Sequence, residues 1–432
     1  MFWRSRLTSM RILHLAYSDS TLGGAIGAYR LHRSMVDIGL QSRLLVFKKK
    51  KNDPTVLQFP LIHRFPVVLS SSITKRLSLL QKSAVPSFRS LNILPTGIHH
   101  KINKMNPDMV QMHWINNNTI SIAEISRIKS PVVWKLPDMW AFSGTEHYLA
   151  PGAYERYKEG YHSGNRLDGD RGFDLDRIFW KYKRWCWKNT KIGIVCPSQW
   201  LSKCAKRSVL FGNYQIRNIP NPLDTERYKP ALTEVARKQL GLPIGKELVL
   251  FASFKAVGDR RKGFHHLKKC LEIMANIPRF NNVELVIMGS DGDPNSRLFG
   301  FPVHYMGHVE DELKVIKIYQ SSDTIVLPTE ADNLPNVIKE GTCCGIPCVG
   351  FSVGGMPDMI SHRETGYLVK PFDANDMVSG IQWVLDQNKE ILVKRVREKA
   401  AQLHDPKKRV IDYLEFYKTI IHENGLGAKS TK

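Results

Sequence analysis

No run of eighteen consecutive apolar residues occurs in the 432-residue sequence, which argues against a membrane-spanning helix. The first residues include Arg4 and Arg6 and lack the apolar core of a signal peptide. Cysteine is scarce and odd in number: of the seven, Cys343, Cys344 and Cys348 alone lie close together. We therefore expect a cytoplasmic protein with reduced thiols, which contacts a membrane, if at all, only at its inner surface.

Acidic residues are also scarce. The chain has 40 Asp and Glu against 63 Lys and Arg, which gives a net charge of +23. Such an excess favours anionic partners: nucleic acid, an acidic membrane surface or phosphorylated small molecules. Because the sequence contains no recognisable nucleic-acid motif and concentrates its basic excess in one segment, we expect no nucleic-acid partner.

That segment is 48–105. It holds eleven Lys or Arg residues and a single acid, Asp53, and so contributes +10 of the total charge. Apolar pieces at 65–69 and 77–80 interrupt the basic residues. Two interpretations stand open: an amphipathic, basic insert that contacts an anionic membrane surface, or a solvated loop with a helix packed on its domain.

Length and a hydrophobic content of 42% predict two domains of roughly 200 residues each. Short apolar runs, typical of buried parallel strands, alternate with helical patterns in both halves. The first half has predicted strands at 11–17, 44–47, 109–114, 132–136 and 192–196, and helices at 25–37 and 176–188. The second half has predicted strands at 248–252, 283–288, 303–306, 324–327, 348–351 and 367–369, and helices at 264–274, 310–320, 336–344 and 375–385.

This alternation predicts an α/β fold of two Rossmann-like, doubly wound domains that face an interdomain cleft. We place the first domain at 1–225, with the basic insert 48–105, and the second at 226–404. Residues 221–230, rich in proline and polar residues, are the predicted linker. A C-terminal helix and tail, 405–432, can cross back to the first domain.

The strongest functional pattern is the sequence 328–341, which reads PTEADNLPNVIKEG. It follows the predicted strand 324–327 and starts a helix with Pro335 in its first turn. The free N–H groups and positive dipole end of such a helix favour a pyrophosphate. Seven residues separate Asp332 from Glu340, about two helical turns, so both carboxylates are predicted along one side of the helix, where they can bind sugar and ribose hydroxyls.

Two basic residues, Arg261 and Lys262, lie between a predicted strand and a predicted helix. A guanidinium and an ammonium beside a diphosphate neutralise the leaving group as a glycosidic bond breaks. We expect these cations and the helix dipole to replace a metal ion at the diphosphate, and we predict no metal ligand.

A glycine pair, Gly23 and Gly24, forms a predicted turn between the first strand and the first helix. It lacks the spacing of a dinucleotide-binding fingerprint. Glycine nevertheless permits a close approach of the backbone to a ligand.

The sequence 328–341 resembles the acid-x7-acid signature of the large retaining GT-B glycosyltransferase family, the group 1 enzymes, in its colanic-acid and capsule-type branch. The family usually has Glu where this chain has Asp332. The resemblance extends from residue 11 to residue 417. It implies that Asp332 and the residues after it contact the donor sugar and phosphates, and that Glu340 holds the nucleotide ribose. The residues after Asp332 that are expected to bind substrate are Asn333, Leu334 and Asn336.

The first half of the chain carries further matches. The family's opening loop, which lies beside the transferred sugar, resembles residues 18–30 with their Gly23–Gly24 pair, and the family's linker resembles 219–224, which implies that Asn221 lines the cleft.

Residues 133–148 resemble a family string in which a histidine precedes the aspartate, here Asp138, and contacts the donor sugar. This chain has Pro137 instead, whose side chain forms no hydrogen bond. Either His113 or His147 can compensate, or both can be structural. Relatives also carry a cysteine cluster just after this string. This chain has Glu146, Tyr154 and Tyr161 there instead, so we expect no metal site or disulfide bond in this segment.

The resemblance implies transfer of a hexosyl or similar residue, with retention, from a nucleotide diphosphate-sugar as co-substrate and with no further cofactor. The implied acceptor is a saccharide or lipid-linked saccharide in the biosynthesis of capsule, lipopolysaccharide or another cell-surface polysaccharide. Two alternatives remain: a GT-B-fold sugar-nucleotide epimerase or hydrolase, and a non-catalytic partner that has lost the histidine before Asp138.

Overall fold

The computed structural model describes residues 10–20, 23–83, 88–149, 156–252, 260–293 and 295–424. The chain divides into two compact units. One runs to Pro222 and resumes at Pro406, and the other is Leu223–Asp405. Each unit has a twisted parallel sheet with helices on both faces.

The strands of the first unit are β1 Arg11–Ser18, β2 Gln41–Lys48, β3 Val56–Gln58, β4 Gln81–Lys82, β5 Met109–Met112, β6 Val132–Lys135, β7 Arg171–Gly172, β8 Ile192–Cys196 and β9 Ile216–Asn218. Its helices before the second unit are α1 Gly23–Asp37, α2 Leu61–Ser78, α3 Ile98–Met105, α4 Ile122–Ile125, α5 Arg156–Glu159, α6 Leu175–Trp187 and α7 Gln199–Arg207.

The main sheet of the first unit has the strand order β3-β2-β1-β5-β6-β8-β9, and its strands are parallel. Strand β1 lies inside the sheet, between β2 and β5, and is buried on both faces from Ile12 to Ala16, as a strand covered by helices on both sides must be. Its register pairs Leu13 with Arg43 of β2 and His14 with Gln111 of β5.

The second unit contains β10 Glu247–Ala252, β11 Val283–Met288, β12 Arg297–Leu298, β13 Phe301–Gly307, β14 Thr324–Leu327, β15 Cys348–Phe351 and β16 Gly366–Val369. Its helices are α8 Thr233–Leu240, α9 Phe264–Met274, α10 Glu312–Ser321, α11 Asn336–Cys343, α12 Met356–Met359, α13 Ala374–Leu385 and α14 Lys389–His404. The sheet order is β12-β13-β11-β10-β14-β15-β16, parallel except for the β12–β13 hairpin.

The last helix, α15 Pro406–Glu423, belongs to the first unit. Its apolar side packs with Leu31 and Met35 of α1 in one cluster on a face of the first sheet. The Tyr417 hydroxyl donates to the side-chain carbonyl of Gln111 at 2.8 Å, a buried bond between this helix and β5. The C-terminal residues of the helix therefore help to cover the sheet that begins the chain.

The prediction of two doubly wound α/β sheets is confirmed, and the strands predicted at 324–327 and 283–288 have the predicted bounds. The predicted Gly23–Gly24 turn is wrong, because α1 already begins at Gly23. The first helical turn passes close to the sheet: a Cβ on Gly24 would lie 3.0 Å from the Cβ of Trp114. Across the described ranges, every helix is too short or too polar to cross a membrane.

Candidate functional site

In the second unit, two loops meet at the carboxyl edge of the sheet, one before α9 and one after β14. The Glu330 N–H donates to the Arg261 carbonyl at 2.8 Å, and the Thr329 hydroxyl donates to the same carbonyl at 3.0 Å. Gly263, with φ 74°, completes the contact, since a Cβ there would overlap the Pro328 carbonyl oxygen. Glycine is thus required for the two loops to approach so closely.

Asp332 lies in the second of these loops and faces two cations from the first. Its Oδ2 is 3.0 Å from Lys262 Nζ and 3.6 Å from Arg261 Nη1. Burial alone would raise the pKa of Asp332, but the charges of Lys262 and Arg261 outweigh it and lower that pKa below its ordinary value. Asp332 is therefore an ionised, fixed hydrogen-bond acceptor at neutral pH and is unsuited to be a general base.

The prediction that Asp332 and Glu340 lie along one side of a helix is wrong. Helix α11 begins only at Asn336, and Asp332 lies in the loop that precedes it. That loop is held from behind, because the Gly355 N–H donates to the Asp332 carbonyl at 3.1 Å and Gly354, with φ 56°, lies directly against it. The two carboxylates reach the same sheet edge from different elements.

Glu340 is buried on α11, where its Oε2 accepts a hydrogen bond from the Tyr319 hydroxyl at 3.0 Å. Burial and the adjacent Glu340 charge raise the pKa of Tyr319 well above its ordinary value, so the phenol stays a donor. The helix packs tightly here, since a Cβ on Gly341 would overlap the Ile325 side chain. The Glu340 carboxylate is thus fixed in place before any ligand binds.

The start of α11 carries the remaining predicted residues of this unit. Pro335 is the N-cap residue, and a proline side chain cannot provide the oxygen that caps most helices. Asn333 and Leu334 are buried in the loop that leads to it, and Asn336 is the first helical residue. The structure therefore brings the predicted residues of the second unit to one edge of its sheet, namely Arg261, Lys262, Asp332, Asn333, Leu334, Asn336 and Glu340.

In the first unit, the predicted residues follow the carboxyl ends of neighbouring strands. His113 and Asp138 line a small concavity, together with Trp114 and Pro137. Asn221, which follows β9, accepts a hydrogen bond from Lys135 Nζ at 3.1 Å.

His113 is fully buried and bonded to a second histidine, with its Nε2 2.8 Å from His14 Nδ1. Burial is the main cause that lowers the pKa values of both imidazoles well below the ordinary value, and the nearby Lys135 and His32 lower them further, so both stay neutral. His113 is therefore a neutral member of a buried histidine pair at the wall of the concavity.

The sequence analysis did not identify Lys135 as a candidate site residue. Its position inside an apolar predicted strand, where a charged side chain is unusual, could have indicated it. It is buried at the end of β6, and burial lowers its pKa to about 7.

His147 lies next to Asp138, with its Nδ1 2.6 Å from Asp138 Oδ2 and its Nε2 2.9 Å from the Ser90 hydroxyl. Asp138 Oδ1 also accepts from the Trp140 N–H at 3.0 Å. Both carboxylate oxygens are thus oriented. Of the two histidines weighed against Pro137, His147 is the one that contacts Asp138.

A network of buried charged and polar side chains packs against the segment that contains Asp138 and His147. Arg89 Nη1 lies 2.5 Å from Asp176 Oδ1, and the Tyr161 hydroxyl donates to Glu146 Oε1 at 2.5 Å. Lys183 Nζ donates to backbone carbonyls of this segment, including that of Gly144 at 2.6 Å. All seven cysteines are free. Polar bonds thus hold the segment where relatives were expected to carry a cysteine cluster; Tyr154, also named there, lies outside the described residues.

Glu146 gives this network a pH dependence. Burial and the negative charge of Asp176 raise its pKa from 4.5 to about 8. The folded state thus keeps a proton that the unfolded state loses. This stabilisation is full below about pH 4.5 and is lost as the pH rises towards about 8. Between pH 5 and 8, we expect the unfolding temperature of Glu146→Gln to fall by about 5 °C less than that of the wild type, measured by circular dichroism. The exposed Glu159→Gln is the control, and parallel profiles for Glu146→Gln and wild type would refute the assignment.

Residues 245–387 match the model of the family described as Glycosyl transferases group 1. The matched stretch lies in the second unit and contains Arg261, Lys262, Asp332 and Glu340. Among curated proteins, the N-acetyl-alpha-D-glucosaminyl L-malate synthase of Bacillus anthracis is 24% identical over 228 residues, which cover 50% of this chain and 56% of that protein. The chain spans about half the length of the curated relatives that it matches, 56% and 42% for two of them.

Two solved structures resemble nearly the whole chain. The sucrose-phosphate synthase of Thermosynechococcus elongatus has a TM-score of 0.60 at 18% identity and covers 96% of this chain and 100% of its own. HepE of Anabaena, solved in complex with UDP-glucose, has a TM-score of 0.62 at 15% identity and covers 95% of this chain and 100% of its own. These likenesses confirm the predicted two-domain GT-B fold.

Proposed function

We propose that this chain, which carries a glycosyl transferases group 1 segment on a GT-B fold, is a glycosyltransferase that uses a nucleotide diphosphate-sugar. The observation that carries the proposal is the pair of cations at the second sheet edge. Arg261 and Lys262 together exceed the charge of Asp332 by one unit, and Asp332 lies in the loop that leads to α11. Cations and the free N–H groups of a helix N-terminus together attract a diphosphate.

The proposed reaction breaks the bond between the anomeric carbon of the sugar and an oxygen of the β-phosphate. Lys262 and Arg261 neutralise the charge that develops on this oxygen, without a metal ion at the diphosphate. The acceptor hydroxyl attacks the same face of the sugar, and the leaving phosphate takes its proton. Asp332 then orients a sugar hydroxyl and Glu340 binds the ribose. Retention rests on the resemblance of 328–341 to the retaining family.

Incubation with a panel of nucleotide sugars, with and without an acceptor extract, tests this function. We expect acceptor-dependent release of nucleoside diphosphate, and proton NMR of the product should show the anomeric configuration of the donor. An epimer formed without acceptor would indicate an epimerase, and free sugar without acceptor a hydrolase. Inversion in the product would contradict the proposed mechanism.

Donor binding without transfer is a second candidate, because Pro137 occupies the wall of the concavity where the family has a histidine. We favour transfer, since His147 still holds the Asp138 carboxylate in a fixed orientation, at 2.6 Å. Calorimetric binding of a nucleotide sugar, with no transfer to any acceptor extract, would favour the non-catalytic alternative.

We propose a saccharide or lipid-linked saccharide acceptor, used in cell-surface polysaccharide synthesis at the cytoplasmic face of an anionic membrane. The support is helix α2. Its Val67 is buried and anchors it, whereas a stripe at helical spacing is exposed, including Ile62 (79%) and Phe65 (70%). Basic residues accompany this stripe, namely Arg64, Lys75 and Arg76, and the run 48–51 precedes it. Exposed apolar and basic groups together favour the interface of an anionic bilayer.

We expect the wild type to sediment with phosphatidylglycerol vesicles at low salt, and much less with phosphatidylcholine vesicles. Replacing Ile62 and Phe65 by serine, or Lys48, Lys49, Lys50 and Lys51 by glutamine, should reduce the bound fraction by about tenfold or more. Leu232→Ser is the matched control, because Leu232 is an equally exposed leucine (76%) in the other unit. Unchanged sedimentation of both α2-side variants would refute membrane contact.

A further inference from the structure

Two histidines and a glutamate converge beside the cation pair of the second unit. His265 and His266 are in the first turn of α9, and Glu330 follows β14. Nε2 of each imidazole lies 3.1 Å from the same oxygen, Oε1 of Glu330. Across the described ranges, no other three His, Cys, Asp or Glu side chains bring their ligand atoms within 4.8 Å of one another.

These separations match those of a metal site. Zinc binds imidazole nitrogen and carboxylate oxygen at about 2.0–2.2 Å, and neighbouring ligand atoms of a tetrahedral shell therefore lie about 3.3 Å apart. Each imidazole Nε2 already lies 3.1 Å from Oε1 of Glu330. A small outward rotation of these side chains therefore makes room for the ion. Two imidazoles and one carboxylate are also a ligand set that divalent transition metals prefer.

Packing holds His266 in place, and a backbone hydrogen bond anchors Glu330. The ring of His266 stacks on Phe372 at 5.5 Å between centroids and meets Phe351 edge-on at 5.1 Å. Glu330 is fixed through its backbone bond to Arg261. His265 is partly exposed, which gives an ion a path from solvent.

We propose that His265, His266 and Glu330 bind a divalent transition-metal ion, for which Zn²⁺ is the probe, with water completing the shell. The ion would join the N-terminus of α9 to the loop after β14, the two segments that also carry Lys262 and Asp332. This departs from the sequence-based expectation that the chain holds no metal ligand. It goes beyond the proposed function, in which Arg261 and Lys262 neutralise the diphosphate without a metal.

The test uses full-length protein without an affinity tag, stripped with EDTA and titrated calorimetrically with Zn²⁺ in the absence of nucleotide. We expect one ion per chain and a higher unfolding temperature with Zn²⁺. Glu330→Gln and, separately, His265→Asn should weaken binding by at least about tenfold. Co²⁺ should give the visible absorption of a tetrahedral site in the wild type alone.

His304→Asn is the matched control, because His304 forms a two-residue pair with Glu284 at 2.7 Å in the same unit and should leave Zn²⁺ affinity unchanged. Circular dichroism shows whether each variant is folded, and the two ligand variants serve as independent checks. The proposal would be overturned if the wild type did not bind Zn²⁺ stoichiometrically. It would also be overturned if Glu330→Gln and His265→Asn both bound Zn²⁺ with the affinity of the wild type. Since no donor or acceptor is present, these outcomes do not depend on the proposed transferase activity.

Discussion

Replacement of Lys262 by methionine is expected to reduce sugar transfer by about 100- to 1,000-fold. The ammonium lies 3.0 Å from Asp332 Oδ2 in the loop pair where we place the diphosphate, and methionine removes its charge while keeping much of its length. Preorganised cations at a developing negative charge typically contribute this much to the transition state. The variant should also bind nucleoside diphosphate less tightly, with little change for the nucleoside, as calorimetry can measure.

Two further variants separate this effect from damage to the fold. Lys269→Met removes an exposed lysine of α9, the helix that follows Lys262, and should leave turnover unchanged. Lys262→Arg keeps the charge and should restore part of the activity, since a guanidinium also binds phosphate but with different geometry. A folded Lys262→Met protein with wild-type turnover would exclude Lys262 from the site.

Replacement of Glu340 by glutamine should weaken nucleotide binding by about 10- to 100-fold, the usual range for a lost hydrogen bond to a charged group. Glutamine keeps the volume and can still accept from the Tyr319 hydroxyl, which lies 3.0 Å from the carboxylate. Wild type and variant should bind equally well a nucleoside diphosphate that lacks both ribose hydroxyls, because Glu340 then has no hydroxyl to bind.

The matched control is Glu312→Gln. Glu312 accepts a hydrogen bond from the Tyr228 hydroxyl at 2.9 Å, so this variant alters a similar tyrosine–carboxylate pair in the same unit. We expect its nucleotide affinity to equal that of the wild type. If Glu340→Gln discriminates against the dideoxy nucleotide as strongly as the wild type does, Glu340 does not bind the ribose.

The fold was largely predictable from sequence because buried parallel strands are short apolar runs. Strands β11 and β14 and helix α9 have the predicted bounds, since each is a clear apolar or periodic segment with turn residues on both sides. The β12–β13 hairpin was missed because β12 is a two-residue strand, too short for any pattern. The start of α1 was misplaced because glycine is common in turns, whereas here it lets a helix approach Trp114.

The geometry of the candidate site could not be predicted from the sequence. Residue spacing correctly marks a strand–loop–helix unit around Asp332 and Glu340, but it cannot show that the helix begins after Asp332. Tertiary contacts between side chains could not be predicted from residue spacing. The pairing of Asp138 with His147 in the first unit and the convergence of His265 and His266 on Glu330 depend on tertiary packing, which no local pattern encodes.

The central claim is that the carboxyl edge of the second sheet binds the nucleotide diphosphate of a sugar donor. A crystal structure of the protein with the nucleoside diphosphate of its preferred donor tests this claim most directly. We predict the diphosphate beside Lys262, Arg261 and the start of α11, with the ribose hydroxyls on Glu340. A nucleotide bound elsewhere, with its phosphates distant from Lys262, would contradict the account.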